Sequence, residues 1–167
     1  MSLDLASYNR KGQLFVAANT SAKSVIAVTT AMTGVILYNP DSSRKNLLIA
    51  DVGWAWTTVP AAVHNLGLAL AAPSLTIPAT VTAIGSGVLK ADGSGNAGNS
   101  VTKAYDAATL PVAPVIVDWF AGAAWASGAG VEPFQIKYSV DGGLILVPGA
   151  VMTFAVVTTT AIGLGSV

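Results

Sequence analysis

The chain has 167 residues, and its eight Lys and Arg balance eight Asp and Glu, so the formal charge is zero. Charged residues make up 10%, against about 25% in an ordinary soluble domain, while hydrophobic residues make up 53%. The length fits one domain, and the composition excludes a disordered tail, a polybasic nucleic-acid arm and, with no cysteine, a disulfide scaffold.

Residues 1–13 have an acid, Asp4, as their first charge and hold no continuous apolar stretch, so they do not read as a signal peptide. They read as an N-terminal arm, carrying Arg10 and Lys11, ahead of a single domain over residues 14–167. No segment keeps a helical period, whereas period-2 alternation recurs. Strands are predicted over 14–17, 25–29, 34–39, 46–56, 66–71, 112–120, 144–147 and 151–158. The longest, 46–56, would place Leu48, Ala50, Val52, Trp54 and Trp56 on one face, opposite Leu47, Ile49, Asp51 and Ala55. A single helical turn is the alternative within 61–70. Residues 85–100, GSGVLKADGSGNAGNS, read as a long glycine-rich loop.

The clearest alternation puts Phe134, Ile136, Tyr138 and Val140 on one face and Gln135, Lys137 and Ser139 on the other. Asp141-Gly142-Gly143 then reads as a hairpin turn, because glycine accepts a positive φ. A two-residue loop would bring Ile145 and Val147 to the Phe134 face, and a three-residue loop Leu144 and Leu146. Breaks fall at Asn39-Pro40-Asp41-Ser42-Ser43, Pro60, Pro73, Pro78, Pro111, Pro114 and Pro148-Gly149. Many short strands with regular turns and no convincing helix predict an all-β chain, a sandwich or a barrel.

No Asp, Glu, Lys or Arg lies between Val52 and Leu89 or between Gly142 and Val167. A membrane helix would need about 18 uninterrupted apolar residues. Pro60, Pro73 and Pro78 break the first run, and Pro148-Gly149 and Thr158-Thr159-Thr160 the second, so no membrane partner is expected. The alternative is a soluble chain whose outer faces are covered by partners or by small neutral residues.

Motifs for chemistry fail one by one. Gly93, Gly95 and Gly98 fit GxGxxG, with Asp118 twenty residues beyond, but no buried strand precedes them and Pro111 and Pro114 follow. Asn99 stands where a phosphate-binding loop needs its lysine, and Lys103 where a calcium loop needs its bidentate glutamate. His64 is the only histidine, too few for a zinc site or a triad. Nothing in the spacing of Asp92, Asp106, Asp118, Glu132 and Asp141 selects a catalytic pair. The expectation is therefore no catalytic residue, no cofactor, no metal and no nucleic acid. Trp54 and Trp56, with Trp119, Phe120 and Trp125, are candidates for core packing, interface anchors or a sugar-stacking platform. Arg10-Lys11 and Arg44-Lys45 read as solvated turn charges, with contact to an acidic partner as the alternative near an N-terminal arm.

Two patches carry a family resemblance. Gly34-Val35-Ile36-Leu37-Tyr38-Asn39-Pro40 followed by Lys45-Asn46-Leu47-Leu48-Ile49-Ala50-Asp51-Val52-Gly53, and the run from Asp141-Gly142-Gly143 through Pro148-Gly149 to Met152-Thr153-Phe154-Ala155, resemble virion structural proteins of tailed bacteriophages. That resemblance implies a jelly-roll β-sandwich, trimeric in some members, used as a capsid decoration (cement) protein or a fibre head. It further implies that the chain sits on the capsid exterior of a virion, with copies of itself and the major capsid protein as partners. The neutral, charge-poor composition favours the same expectation, since near-zero net charge promotes association. The rival is a fibre head or adhesin that binds a host-surface glycan through residues 85–100 and exposed tryptophans. An enzyme of the cupin type would need two or three histidines, and there is one.

Overall fold

The computed structural model describes residues 4–19, 25–55, 64–84, 87–92, 94, 96, 100–123 and 135–158. Among these residues one short α-helix, α1 (Leu5–Arg10), precedes ten strands. These are β1 (Phe15–Val16), β2 (Ala31–Tyr38), β3 (Leu47–Ala55), β4 (His64–Ala71), β5 (Ala79–Ala83), β6 (Leu89–Lys90), β7 (Lys103–Thr109), β8 (Val115–Ala123), β9 (Gln135–Leu146) and β10 (Val151–Thr158). A six-stranded antiparallel sheet runs β5-β7-β2-β10-β4-β8, while β3 with β9 and β1 with β6 form two-stranded sheets. The pairs are nested along the chain: β2 with β10, β3 with β9, β4 with β8 and β5 with β7. The chain is all-β and sandwich-like in character.

β10 lies near the middle of the large sheet and is buried on both faces. Its Met152 and Phe154 join Leu66 and Leu68 of β4, Ile49 and Val52 of β3, and Leu146 of β9 in one apolar cluster. Its Val151 and Ala155 join Ile36 and Tyr38 of β2 and Ala69 and Ala71 of β4 in a second cluster. Registers of Met152 with Leu70 and Thr153 with Ala69 keep those two sets on opposite sides of the sheet. Strands buried on both faces have no polar alternation to show. Part of the charge poverty therefore follows from the fold itself, since β4 and β10 both fall in the charge-free stretches. Fully burying each Leu, Val or Phe contributes about 1.5–3 kcal/mol. Gly67 of β4 lets β8 cross closely: a Cβ there would sit 2.8 Å from the Asp118 carbonyl oxygen and 2.9 Å from Ile116 Cγ2.

Several expectations change. Asp141-Gly142-Gly143 is no hairpin, because both halves of β9 pair with β3, Ser139 opposite Asp51 and Leu144 opposite Ile49. Four residues of β9, 140–143, bulge where β3 has Ala50 alone, and Asp141 and Gly142 take the positive φ the motif anticipated. The same irregularity resets the phase of β3. Leu47, Ile49, Val52 and Trp54 pack inward while Leu48 is exposed, so the predicted face split fails past Ala50. Leu144 and Leu146 turn inward with Tyr138 and Val140, as the three-residue alternative had it. Residues 64–70 are strand, not helical turn, and 25–29 are irregular, although the Ile26 carbonyl accepts a hydrogen bond from Val156 N–H. β5 and β7 and the short β6 were not anticipated. Within the expected arm, α1 is capped by Asp4, whose carboxylate accepts from Ser7 N–H. It closes with Gly12 N–H to Asn9 O and Gln13 N–H to Tyr8 O, a Schellman end.

Candidate interaction surface

Three turns meet at one end of the sandwich, and buried Asn39 ties them together. Its Nδ2 donates to the carbonyls of Lys45 and Leu146, both at 2.8 Å. Its backbone N–H donates to Ala150 O and its carbonyl accepts from Gly149 N–H. Ser74 N–H in turn donates to Gly149 O, which brings in the segment between Pro73 and Pro78. Gly149 has φ +84°, and a Cβ there would meet Ser74 backbone atoms at 3.0 Å, so the close approach needs glycine. In the turn from β2 to β3, residues Asp41–Ser43 form one 3-10 turn and Arg44 takes a left-handed conformation. The Asn-Pro…Lys-Asn-Leu pattern thus has a structural cause, a buried amide satisfying backbone groups at a chain corner.

This fixed scaffold presents aliphatic side chains to solvent. Leu75 is 85% exposed and Ile77 68%, and Leu48, Ile145 and Val147 are exposed as well. Leu48 and Ile145 are directly opposed across β3 and β9. Scattered exposed leucines need no explanation, so the aliphatics next to this hydrogen-bonded corner are a candidate surface only. Sequence reasoning missed Leu75 and Ile77. The signal was present in Ser74-Leu75-Thr76-Ile77, a stretch with no role in a core, bracketed by Pro73 and Pro78.

Of the predicted interface residues the structure describes Trp54 on β3, Trp119 and Phe120 on β8, and Arg10 and Lys11 at α1. Trp54 points inward, its ring 5.4 Å from that of Phe154 in an edge-to-face contact at 62°. Trp119 is half-buried on β8 beside Gly67, where its Cε3 would lie 3.1 Å from an added Cβ. Phe120 follows it on β8, and Trp56 and Trp125 lie outside the described residues. Arg10 and Lys11 are exposed at the end of α1, far along the chain from the turns. Asn19, which begins a glycosylation-like triplet, donates through its side chain to the buried Asp106 carboxylate.

A second polar feature bridges the layers. Tyr138 of β9 donates its hydroxyl to Asp118 Oδ2 of β8 at 2.5 Å, and Asp118 Oδ1 accepts from Trp119 N–H at 2.8 Å. The hydrogen bond to the carboxylate, then burial, then the charge of Asp118, holds the Tyr138 hydroxyl above the usual tyrosine range. The two residues line an open cleft of about 400 Å³ with Leu68, Val117, Val140 and Leu144. On the outer face Lys137 pairs with Asp51 at 3.1 Å, which holds the Asp51 carboxyl below its ordinary value. Among the described residues no three His, Asp or Glu side chains gather as a metal site would require, and no helix is long and apolar enough to cross a membrane. No protein-family model, curated protein or solved structure matches this chain significantly.

Proposed function

We propose that the chain is a non-enzymatic structural subunit of a tailed-phage virion, a trimeric jelly-roll decoration protein that clamps the outside of the capsid. The observation that carries this reading is the rigid turn end with its outward aliphatics, on a neutral chain poor in charge. The nested strand pairs, with β10 set between β2 and β4, support the jelly-roll assignment, since that fold is a long antiparallel hairpin rolled on itself. One departure is that the β5–β7 pair extends the β2 edge rather than lying beside β9.

The mechanism is mechanical. A buried amide and backbone hydrogen bonds hold the turns in place before contact, so little conformational freedom is lost on docking. Leu75 and Ile77 then leave water against the shell, each contributing about 2 kcal/mol of gross apolar burial. Repeated over symmetric copies, such contacts bridge capsomers without any single strong bond.

Antibody labelling of purified particles under the electron microscope tests the reading. Label over the outer shell is expected; particles without label overturn it, and label confined to the tail tip favours the fibre-head rival. A Leu75→Ser, Ile77→Ser variant should keep its circular dichroism spectrum and lose shell binding by about tenfold or more. Undiminished binding removes the turn end from the contact.

A further inference from the structure

The cleft beside α1 gathers charge in a chain that has little. Arg10 and Lys11 lie at the C-terminal end of α1, and β6 brings Lys90 across to them from eighty residues away. The Lys90 ammonium lies over Gly12, where a Cβ would come 3.5 Å from Nζ. Backbone bonds fix the approach: Ala91 N–H donates to Leu14 O at 3.0 Å, and Phe15 and Val16 of β1 pair with Lys90 and Leu89 of β6. Asn9 Nδ2 adds a long contact to Ala91 O at 3.5 Å. Together Asn9, Arg10, Lys11, Gly12, Lys90 and Asp92 line an open cleft of about 490 Å³. Three of the chain's eight cationic side chains meet there around one carboxylate. Asp92 Oδ1 accepts from Ser94 N–H at 2.9 Å, and its carboxylate also feels the Lys90 charge, so it offsets one of the three cations.

We infer that this cleft binds an acidic polypeptide segment of the partner protein, carboxylates meeting Arg10, Lys11 and Lys90. The inference rests on the reading of the chain as an assembly subunit and names the chemistry of its second contact. Charge complementarity identifies the occupant. Nucleic acid is bound by proteins that neutralise many phosphates along an extended basic surface, and a neutral chain with three clustered cations offers no such track. Two or three carboxylates on a short segment match the cleft in both number and extent. Cations at a helix C-terminus are favoured by the negative end of its dipole, which suits Arg10 and Lys11 to this position.

Fluorescence anisotropy with labelled decaglutamate, decaglutamine and a ten-nucleotide oligothymidylate tests this at about 20 and about 300 mM NaCl. Decaglutamate should bind at low salt and weaken at high salt, and decaglutamine should not bind. The variant Arg10→Gln, Lys11→Gln, Lys90→Gln should lose about tenfold or more of that affinity with an unchanged melting temperature. No decaglutamate binding, equal binding by the triple variant, or tighter oligothymidylate binding at the same three residues overturns the inference. Shell sedimentation separates this from the functional reading. Wild type absent from shells while decaglutamate still binds sinks the function and leaves the cleft, whereas the triple variant still binding shells as tightly as wild type sinks the cleft alone.

Discussion

The sandwich body and the N-terminal module of α1, β1 and β6 are built on opposite principles. The body buries Phe154, Leu68, Ile36 and Val151 in two clusters on either side of one sheet. The module buries no residue of α1, and its two strands pair over two residues each. The body owes its order to desolvated area, the module to a cap, a Schellman end and a handful of backbone bonds. The central strands β4 and β10 carry no charged side chain, and the body's charges lie on β3, β7, β8 and β9; in the module Arg10 and Lys11 are exposed and Lys90 is half-buried.

Phe154→Ala should break the body most. It deletes a ring buried between β4 and Trp54, and such truncations cost about 3–5 kcal/mol. At about 2–4 °C per kcal/mol for a domain of this size, calorimetry should show a drop of about 6–20 °C. Hydrogen exchange sharpens the contrast: amides of β4 and β10 should lose protection while those of α1, already exchanging through local opening, should not change. Equal protection of α1 and β10 in the wild type would erase the distinction between the two regions.

Asn39→Ala should come next. It removes two side-chain hydrogen bonds and leaves the buried Leu146 carbonyl short of a partner, a loss of about 2 kcal/mol. The denaturant midpoint should fall with the slope unchanged, and shell binding should weaken with it if the turns present Leu75 and Ile77 as a unit. A midpoint within error of wild type would mean the corner is held by its backbone alone.

How much of this was legible in the sequence depends on what each strand buries. β10 was read to its full extent and β4 for most of its length, because apolar runs between turn residues survive on either face of a sheet. β7 escaped because Ala104, Ala107 and Ala108 are poor strand formers, although Ala104, Asp106 and Ala108 alternate inward as a strand requires. The phase of β3 was not legible at all past Ala50. A bulge is set by the partner strand, and nothing within 46–56 announces the extra residues of β9. α1 was missed for want of an apolar face, yet Asp4 and Gly12 mark both its ends. Of the three readings open for the tryptophans, Trp54 takes core packing against Phe154, while the exposed Leu75 and Ile77 are ordinary aliphatics that carry no such signal in the sequence.

The smallest expected effect lies on the polar bridge between β8 and β9 and shows only in alkali. Tyr138 in the folded chain loses its proton at a higher pH than in the unfolded chain, chiefly because the hydroxyl donates to the Asp118 carboxylate. The contribution is therefore whole below about pH 10, the unfolded value, and is lost as pH rises through the folded one. Tyr105 shifts in the same direction through burial and then through Tyr38, so the alkaline decline has two sources. Solvent at the open cleft limits the Tyr138 share to about 1 kcal/mol or less. Melting temperatures between about pH 8 and about pH 12, followed alongside phenolate absorbance, should show Tyr138→Phe flattening part of the decline while Tyr105→Phe removes the rest. An unchanged alkaline profile in Tyr138→Phe would place the whole effect inside the body, and the bridge at its margin would then hold β9 to β8 no more firmly than packing does.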